Sequence, residues 1–591
     1  MCEILLVNAV YFSDKDSFHI GQFIIRDILK ETYDVEYINF DLMNKIGKLK
    51  YSDNLEENIR IMGDYILSRK PKVVGFYTIC NAFVITLLTA KYINEKNKNI
   101  RIIFGGPHAS IVYRECFENF DFIDAICIGE SEKYIKILID KMMREEDISL
   151  LPGVASVKNG KIHYIKNQNL LTDEDLSNYT VFDFSPFTLS EESEFNIEGG
   201  RGCPFGCSFC TTSTFWGRKY RVKKLNSIFE EMDKANKLYG IKDFAIQHDM
   251  FTADRDYIIK FCKHLIDNRK NYTWKCSCRI DTLDNELIDF MDMSGCKSIY
   301  LGLESGSKRM QKVMNKNLNL SNALTKIKHI ILNTNIKLTT SFIFCLPDET
   351  IEDFRETIKL MENLFKSGVT NIQLHKFMPL PGTADTEKII NRMYFDEKAT
   401  EMTYLNINLK EIKNIIIKYP KIFSQYYTYD SEVKNKFCRF DYFIELLNTM
   451  SDFYYNTLCI LLNIYSLEEL YYRMDEILKK FFDIYRSIDY IDRTVDKSKY
   501  LLPKINDLII DYLEKEKVPN ESKDIYFASL YYDESKLNFF LGDKIEDVKM
   551  FKFNVQKLLK DKVYVKEDYY IKLYRIGKNV KVKHIIKKES D

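Results

Sequence analysis

The sequence predicts an α/β protein in three parts. A doubly wound parallel sheet covers residues 1–165, a linker covers 166–194, a partial (β/α)6 barrel covers 195–390, and a mainly helical region ending in a β-hairpin covers 391–591. Three observations predict this. Runs of branched apolar residues alternate with helical periodicity from the start and again from Phe195, as strands buried on both faces by crossover helices do. From about Ala399 the texture changes to long helices rich in Tyr, Phe, Ile and Lys. A chain of 591 residues also exceeds what one hydrophobic core can hold.

The elements follow in order. "EILLVNAV" is a short apolar strand, and "GQFIIRDILKET" places Phe23, Ile24, Ile28 and Leu29 on one side of a helix. "KVVGFYTIC" (Lys72 to Cys80) is a second strand, followed by the helical "AFVITLLTAKYINE". "IRIIFGG" (Ile100 to Gly106) and "FIDAICIGESE" (Phe122 to Glu132) are the third and fourth, each ending in glycine. Ligand crevices in such sheets open at the carboxyl ends of the strands, where "TICN", "GGPHAS" and "GESE" fall. "GVASVKNGKIHYIKN" reads as a hairpin turned at Asn159-Gly160, and the acidic "LLTDEDLSNYTVFDFSP" as the linker. The barrel strands are "FNIEGG", "KDFAIQHD", "YTWKCSCR", "SIYLGLES", "KLTTSFIFCLP" and "NIQLHKFMPLPG", with chemistry expected at their carboxyl ends. In the last part "SLEELYYRMDEILKKFFDIYRSI" is one helix, opened by a capping box of Ser466 and Glu469. Its apolar face is Leu467, Leu470, Tyr471, Met474, Ile477, Leu478, Phe481 and Tyr485. "YYIKLYRIGKNVKVKHII" is a hairpin turning at Gly577.

Composition excludes several classes. Acidic and basic residues balance at 86 each, so no overall field draws the chain to nucleic acid or anionic membrane. No apolar run reaches the length of a membrane span, and the N-terminus lacks the basic start of a signal peptide. A cytoplasmic protein is expected. Its 14 cysteines, scattered except at one place, then serve as small core residues or ligands rather than as a disulfide framework.

That place is "GGRGCPFGCSFCTTSTFWGRKYRVK" (Gly199 to Lys223). Cys203, Cys207 and Cys210 have the spacing C-x3-C-x2-C, and no fourth Cys or His lies nearby to close a structural zinc site. A four-iron, four-sulfide cluster on three cysteines leaves one iron open to the amino and carboxylate groups of a ligand. Zinc or chance remain alternatives for the bare triplet. Gly199, Gly200, Gly202 and Gly206 let a loop wrap a cluster closely. The aromatic and basic "FWGRKYRVKK" just beyond reads as a loop at the barrel mouth, with Trp216 or Arg218 near cofactor or substrate, rather than as a nucleic-acid patch.

The triplet, with Phe209 just before its last cysteine, resembles the radical S-adenosylmethionine superfamily. "CSCRIDTLDNELIDFMDMSGCKSIYLGLESGS", "SFIFCLPDET" and "FMPLPGT" resemble the subgroup that carries an N-terminal cobalamin-binding domain, and "FGGPHAS" and "IGESE" resemble that domain. The resemblance covers about residues 1–390. It implies a [4Fe-4S] cluster on Cys203, Cys207 and Cys210, and S-adenosylmethionine cleaved by one electron from an external reductant to a 5′-deoxyadenosyl radical. It implies S-adenosylmethionine contacts from Phe209, Arg279, Glu304, Ser305 and Ser341. Arg279 could instead pair with Asp281, and Cys276 and Cys278 read as packing residues. The subgroup's paired-Asp motif reads "IQHDMF" here, with His248 in place of the first Asp, and Ser341 and Cys345 stand where glycines are usual.

Cobalamin binding is expected in the first part. The backbone at Gly105, Gly106, Gly129 and Glu130 would receive the nucleotide tail, and the loop from Thr78 to Asn81 would face the corrin ring. The D-x-H-x-x-G motif that supplies cobalt with a histidine is absent, and Asp16, His19 and Gly21 are out of its register. The resemblance thus implies a methyltransferase acting on an unactivated carbon of a small metabolite or peptide, in a low-oxygen setting. Non-methylating rearrangement, cyclisation or oxidation, with or without cobalamin, is the alternative, and a cluster-based redox sensor a third. A methylthiotransferase would need a second cysteine triplet, which Cys2, Cys80, Cys116 and Cys127 do not form.

Overall fold

The structure, a computed structural model, describes residues 2–8, 19–52, 54–184, 187, 189–191, 193–396, 409–487, 497–519, 522–541, 546–551, 569–576 and 579–585. Its first sheet contains β1 (Ile4–Val7), β2 (Val35–Ile38), β3 (Val73–Tyr77), β4 (Arg101–Gly105), β5 (Ala125–Cys127), β6 (Val154–Lys158) and β7 (Lys161–Tyr164), in the order β2-β1-β3-β4-β5-β6-β7. The first five strands run parallel. The hairpin β6–β7 adds antiparallel at one edge. Its turn uses Asn159 and Gly160 with φ of 50° and 70°, the mirror-image geometry that suits the twist of a hairpin. Strand β2 was not anticipated: "VEYI" is four residues long with an acid inside, and it lies at the other edge.

The stretch expected as a linker is partly packed structure. Thr172 and Asp175 form a capping box that starts a helix at Asp173–Asn178, and Leu171, Leu176, Val181 and Phe184 are buried.

The second sheet begins with β8 (Glu194–Glu198). A two-residue pair, β9 (Gly200–Arg201) with β10 (Arg221–Val222), brackets the cysteine loop. Then come β11 (Asp243–Gln247), β12 (Thr273–Cys278), β13 (Cys296–Glu304), β14 (Lys337–Phe344) and β15 (Asn371–Lys376). The order β15-β14-β13-β12-β11-β8 is parallel throughout, with helices between, which is the open six-stranded barrel expected. Alternate positions such as Ile197, Trp274, Cys276, Cys278, Leu301 and Leu374 are buried, so Cys276 and Cys278 are packing residues. The positions between them, including Asn196, Gln247, Ser277, Tyr300 and Gln373, are polar and less buried.

The last part closes this framework. Helix Phe440–Phe453 lies on the open edge strand β15. There Asn448 donates to the Ile372 carbonyl at 2.7 Å and accepts from its amide at 3.0 Å. An edge strand needs such a cover for its unpaired backbone. Ile412, Ile416, Ile422, Phe423 and Tyr426 pack into the core of the first sheet, and β16 (Tyr394–Phe395) pairs with β17 (Tyr427–Thr428). The segment expected as one long helix is two, Leu467–Arg473 and Asp475–Ser487, broken at Met474. The capping box of Ser466 and Glu469 is present, and Leu467, Leu470, Tyr471, Met474, Ile477, Leu478 and Phe481 are buried. Strands β18 (Glu546–Phe551), β19 (Tyr569–Ile576) and β20 (Asn579–Ile585) form an antiparallel sheet, so a third strand joins the expected hairpin. The expected turn at Gly577 and the side chain of Tyr485 lie outside the described residues. Among the described residues no helix is long and apolar enough to cross a membrane.

Candidate functional site

The cysteine loop leaves β9 and returns along β10. Asp249, at the carboxyl end of β11, accepts from the Gly202 amide at 2.8 Å and fixes the loop's start. Beside it His248 uses both ring nitrogens: Nδ1 accepts from the Met250 amide at 2.8 Å, and Nε2 donates to the Arg221 carbonyl at 3.0 Å. The histidine that replaces an expected aspartate thus ties β10 to β11, and burial lowers its pKa. Ser208 donates to Asp385 at 2.6 Å, its amide donates to the Met314 carbonyl at 3.0 Å, and Asn315 donates to the Gly206 carbonyl at 2.8 Å. None of Asp385, Asn315 and Lys316 was singled out from the sequence.

Cys203, Cys207 and Cys210 are free and half-buried. Burial pushes the Cys203 and Cys207 thiols up. Each lies in the field of its neighbours, while Lys316 and Arg279 pull Cys207 the other way. Among the described residues no three His, Cys, Asp or Glu side chains converge on a single ion. Three thiols in one short loop, within one another's electrostatic field, are a donor set that a multi-iron cluster can use. The loop also forms a tight cradle. Gly202 has φ +84°, and a Cβ there would meet the Lys219 carbonyl at 1.9 Å. The donor set and the cradle fit the cluster.

The residues expected around S-adenosylmethionine divide. Phe209 packs beside Met310, Met314, Leu346, Phe377, Ile389 and Tyr429. Glu304 ends β13 with φ 66° and accepts from Lys316 Nζ at 2.7 Å. Ser341 is 4% exposed and lies on β14 opposite Gly302 of β13. Ser305 is fully buried and shares hydrogen bonds with Thr357 and the Ser307 amide at 3.1 Å each, which anchors the turn. Arg279 is occupied by Asp281, at 3.0 Å and 2.8 Å, as the ion-pair reading allowed.

A cavity of about 510 Å³ lies between the two sheets. Gly75, Tyr77, Gly105, Gly106, Gly129 and Glu130 line it from the first sheet, and Asn196, Gln247, Phe215 and Trp216 from the barrel side. Gly106 has φ +104°, and a Cβ there would strike the Thr78 carbonyl at 2.6 Å, so only glycine lets the chain pass so close. The amide oxygen of Gln22, another lining residue, is buried without a hydrogen-bond partner. An acceptor left open in a glycine-walled cavity fits the amide-fringed rim of a corrinoid. His19 also lines the cavity, stacked on Tyr77 at 4.1 Å and pushed down to about 4 by burial. Asp16 lies outside the described residues.

The loop from Thr78 to Asn81 is not among the residues that line this cavity. The Thr78 hydroxyl donates to the Gly105 carbonyl at 2.8 Å and accepts from the Ala109 amide at 3.1 Å, fully buried. Its loop is capped from outside: Gln425 donates to the Cys80 carbonyl at 2.9 Å, and Tyr426 to that of Asn81 at 3.2 Å. Glu130 is taken up by ion pairs. It meets Arg201 at 3.2 Å and Arg221 at 2.7 Å, while Arg201 also meets Glu132 at 2.7 Å and Glu198 at 2.6 Å. Trp216 lies against this cluster, with the two guanidinium carbons 5.9 Å and 5.7 Å from its ring.

Residues 197–361 match the Radical SAM superfamily. The chain is 25% identical over 340 residues to an uncharacterized methyltransferase of Pyrococcus horikoshii, covering 57% of this chain and 73% of that protein. It is 25% identical over 319 residues to the anaerobic magnesium-protoporphyrin IX monomethyl ester cyclase of Rubrivivax gelatinosus, covering 52% of this chain and 57% of that one. The radical S-adenosylmethionine methyltransferase TsrM from Kitasatospora setae, solved with cobalamin and a [4Fe-4S] cluster, superposes with a TM-score of 0.56 and 16% identity, over 66% of this chain and 77% of that one. The cobalamin-dependent radical enzyme OxsB, solved with aqua-cobalamin and S-adenosylmethionine, superposes with a TM-score of 0.53 and 15% identity, over 92% and 82%. These chains share the fold.

Proposed function

We propose that this chain, radical S-adenosylmethionine in type by its central part, is a cobalamin-dependent methyltransferase acting on an unactivated carbon of a small metabolite or peptide. One observation carries the reading: Phe215 and Trp216, which follow Cys210 in the same loop, form a wall of the cavity between the sheets, so the cysteine site and the cavity adjoin. When bound, the [4Fe-4S] cluster would supply the electron that cleaves S-adenosylmethionine to methionine and a 5′-deoxyadenosyl radical, and the corrinoid would supply the methyl group. The chain's own residues would hold and shield these groups. Cys203, Cys207 and Cys210 ligate the cluster. Phe209 offers an apolar face to the adenine. Ser341, together with Glu304 held in place by Lys316, offers polar contacts to the ribose and methionine portions. Gly105, Gly106 and Gly129 bring the backbone close to the corrinoid, Gln22 accepts from its rim, and Trp216 excludes water from the joint.

The second reading, cyclisation or another non-methylating reaction with or without cobalamin, is favoured by the similarity to the cyclase. A cytoplasmic, low-oxygen setting and an external one-electron reductant suit either. The deciding experiment is anaerobic purification from cells supplied with cobalamin, with iron and corrinoid counted per chain, followed by reaction with S-adenosylmethionine labelled in its methyl group. About one corrinoid per chain with label entering a product supports the methyltransferase. Corrinoid and 5′-deoxyadenosine without label transfer support the second reading. An intact cluster that leaves S-adenosylmethionine uncut points to the redox sensor.

A further inference from the structure

Arg279 follows β12 and is 6% exposed. Its resemblance-based role was to clamp the carboxylate of S-adenosylmethionine, which needs a free pair of N–H groups. That pair is not free. Nε donates to Asp281 Oδ1 at 3.0 Å, and Nη2 donates to Asp281 Oδ2 at 2.8 Å and to the Lys316 carbonyl at 2.7 Å. The remaining nitrogen, Nη1, donates to the Cys207 sulfur at 3.7 Å. The guanidinium also sits over the Phe205 ring, its carbon 3.8 Å from the ring centre. Phe205 and Cys207 both belong to the cysteine loop, so Arg279 touches that loop twice while its fork is fixed from behind.

We propose that Arg279 is a positioning residue for the iron–sulfur cluster: it donates to the ligating sulfur of Cys207 and tunes the cluster's reduction potential, with Asp281 setting how much of its charge the cluster feels. The inference rests on the cluster reading above. Reduction adds one electron, from a donor such as dithionite, to a cluster already rich in negative charge. A charged N–H aimed at a ligand sulfur favours the reduced form and raises the potential, as hydrogen bonds to sulfur generally do. Asp281 opposes this by placing a carboxylate behind the guanidinium; its side chain is 38% exposed, so replacing it leaves no large buried void.

The two partners therefore act with opposite sign. Arg279→Gln removes the charge and the N–H and is expected to shift the midpoint potential to more negative values. Asp281→Asn leaves the guanidinium in place but less neutralised and is expected to shift it to more positive values. Potentials are read by a mediated redox titration of the low-temperature electron paramagnetic resonance signal, on protein with iron and sulfide counted. S-adenosylmethionine affinity is measured on the same samples. Opposite shifts at wild-type iron content establish the role, because general damage would move both variants the same way. Unchanged potentials with a large loss of S-adenosylmethionine affinity in Arg279→Gln would make it the carboxylate clamp after all. Where Arg279→Gln loses iron, Asp281→Asn decides alone, and an unmoved potential there refutes the proposal. If the wild-type chain assembles no cluster, it is the cofactor reading that fails.

Discussion

Glu349 closes the turn after β14 with its carboxyl buried. One oxygen accepts from the Leu346 amide at 3.3 Å, and the other has no hydrogen-bond partner. Burial pushes this carboxyl from 4.5 up to about 8. A folded value above the unfolded one means that the folded chain keeps a proton which the unfolded chain releases. The contribution to stability is complete below the unfolded value and is lost as pH rises toward about 8. His108, pushed down to about 3, stays neutral throughout this window, while the buried Glu231, pushed up to about 7, adds to the loss only at its acid end. Denaturation between about pH 7 and about pH 8.5 is expected to show a loss of stability of order 1–2 kcal/mol, at roughly 1.4 kcal/mol per pH unit. Glu349→Gln, which cannot titrate, is expected to flatten that slope and to be the more stable form at the alkaline end. An identical slope in the variant would show that Glu349 is not the group responsible. The sequence shows such residues only through local spacing. The cysteine triplet and Glu304 were legible because their motifs are contiguous. Lys316, which meets Glu304 from beyond a helix, and Asp385, which meets Ser208 from 177 positions away, carry no local pattern. Ser305 and Thr78 were placed on the correct strand ends, but which way a hydroxyl turns depends on Thr357 and Ala109, partners that only the fold supplies.

At the scale of elements, strands buried on both faces read clearly because long apolar runs leave little choice of structure. The edge strand β2 did not, having one acid in four residues, and neither did the helix break at Met474, which no Pro or Gly marks. The cysteine loop is the element on which the proposed function turns, and its glycines are not equivalent. A Cβ on Gly202 would strike backbone, the Lys219 carbonyl at 1.9 Å, at a φ of +84° that side chains rarely adopt. The atoms nearest a Cβ on Gly206 would be those of the Arg218 guanidinium, the far end of a flexible side chain that can move aside. Gly202→Ala is therefore expected to lose most of its iron after anaerobic reconstitution while keeping wild-type circular dichroism. Gly206→Ala is expected to load within about twofold of wild type. Equal loading by both variants would mean that the loop is looser than its β9–β10 clasp implies.

For the whole molecule, the joint between the two sheets carries a set of buried charges beside an apolar core that runs from Leu6 and Phe23 through Phe184 to Phe195 and Ile197. Arg201 sits among Glu130, Glu132 and Glu198, with Arg221 closing on Glu130, and the side chains of Arg201, Glu130 and Glu132 are 7%, 2% and 5% exposed. A buried ion-pair network contributes little against an apolar alternative of the same shape, yet removing one member strands its partners without compensation. Because Glu130 and Glu132 come from the loop after β5 while Arg201 and Glu198 come from the barrel, the network sets the register of the two halves across the cavity. Arg201→Met would leave three carboxylates without their central cation. The expected cost is about 3–5 kcal/mol in chemical denaturation, with lower corrinoid retention and little loss of iron, since the cysteine loop is held separately by Asp249, Asp385 and Asn315. A parallel fall in iron and corrinoid would show that the joint and the cysteine loop fold as one unit. Unchanged stability with full corrinoid retention would mean that the C-terminal wrap, which packs Ile412, Phe423 and Tyr426 against the first sheet, is enough to hold the halves in register.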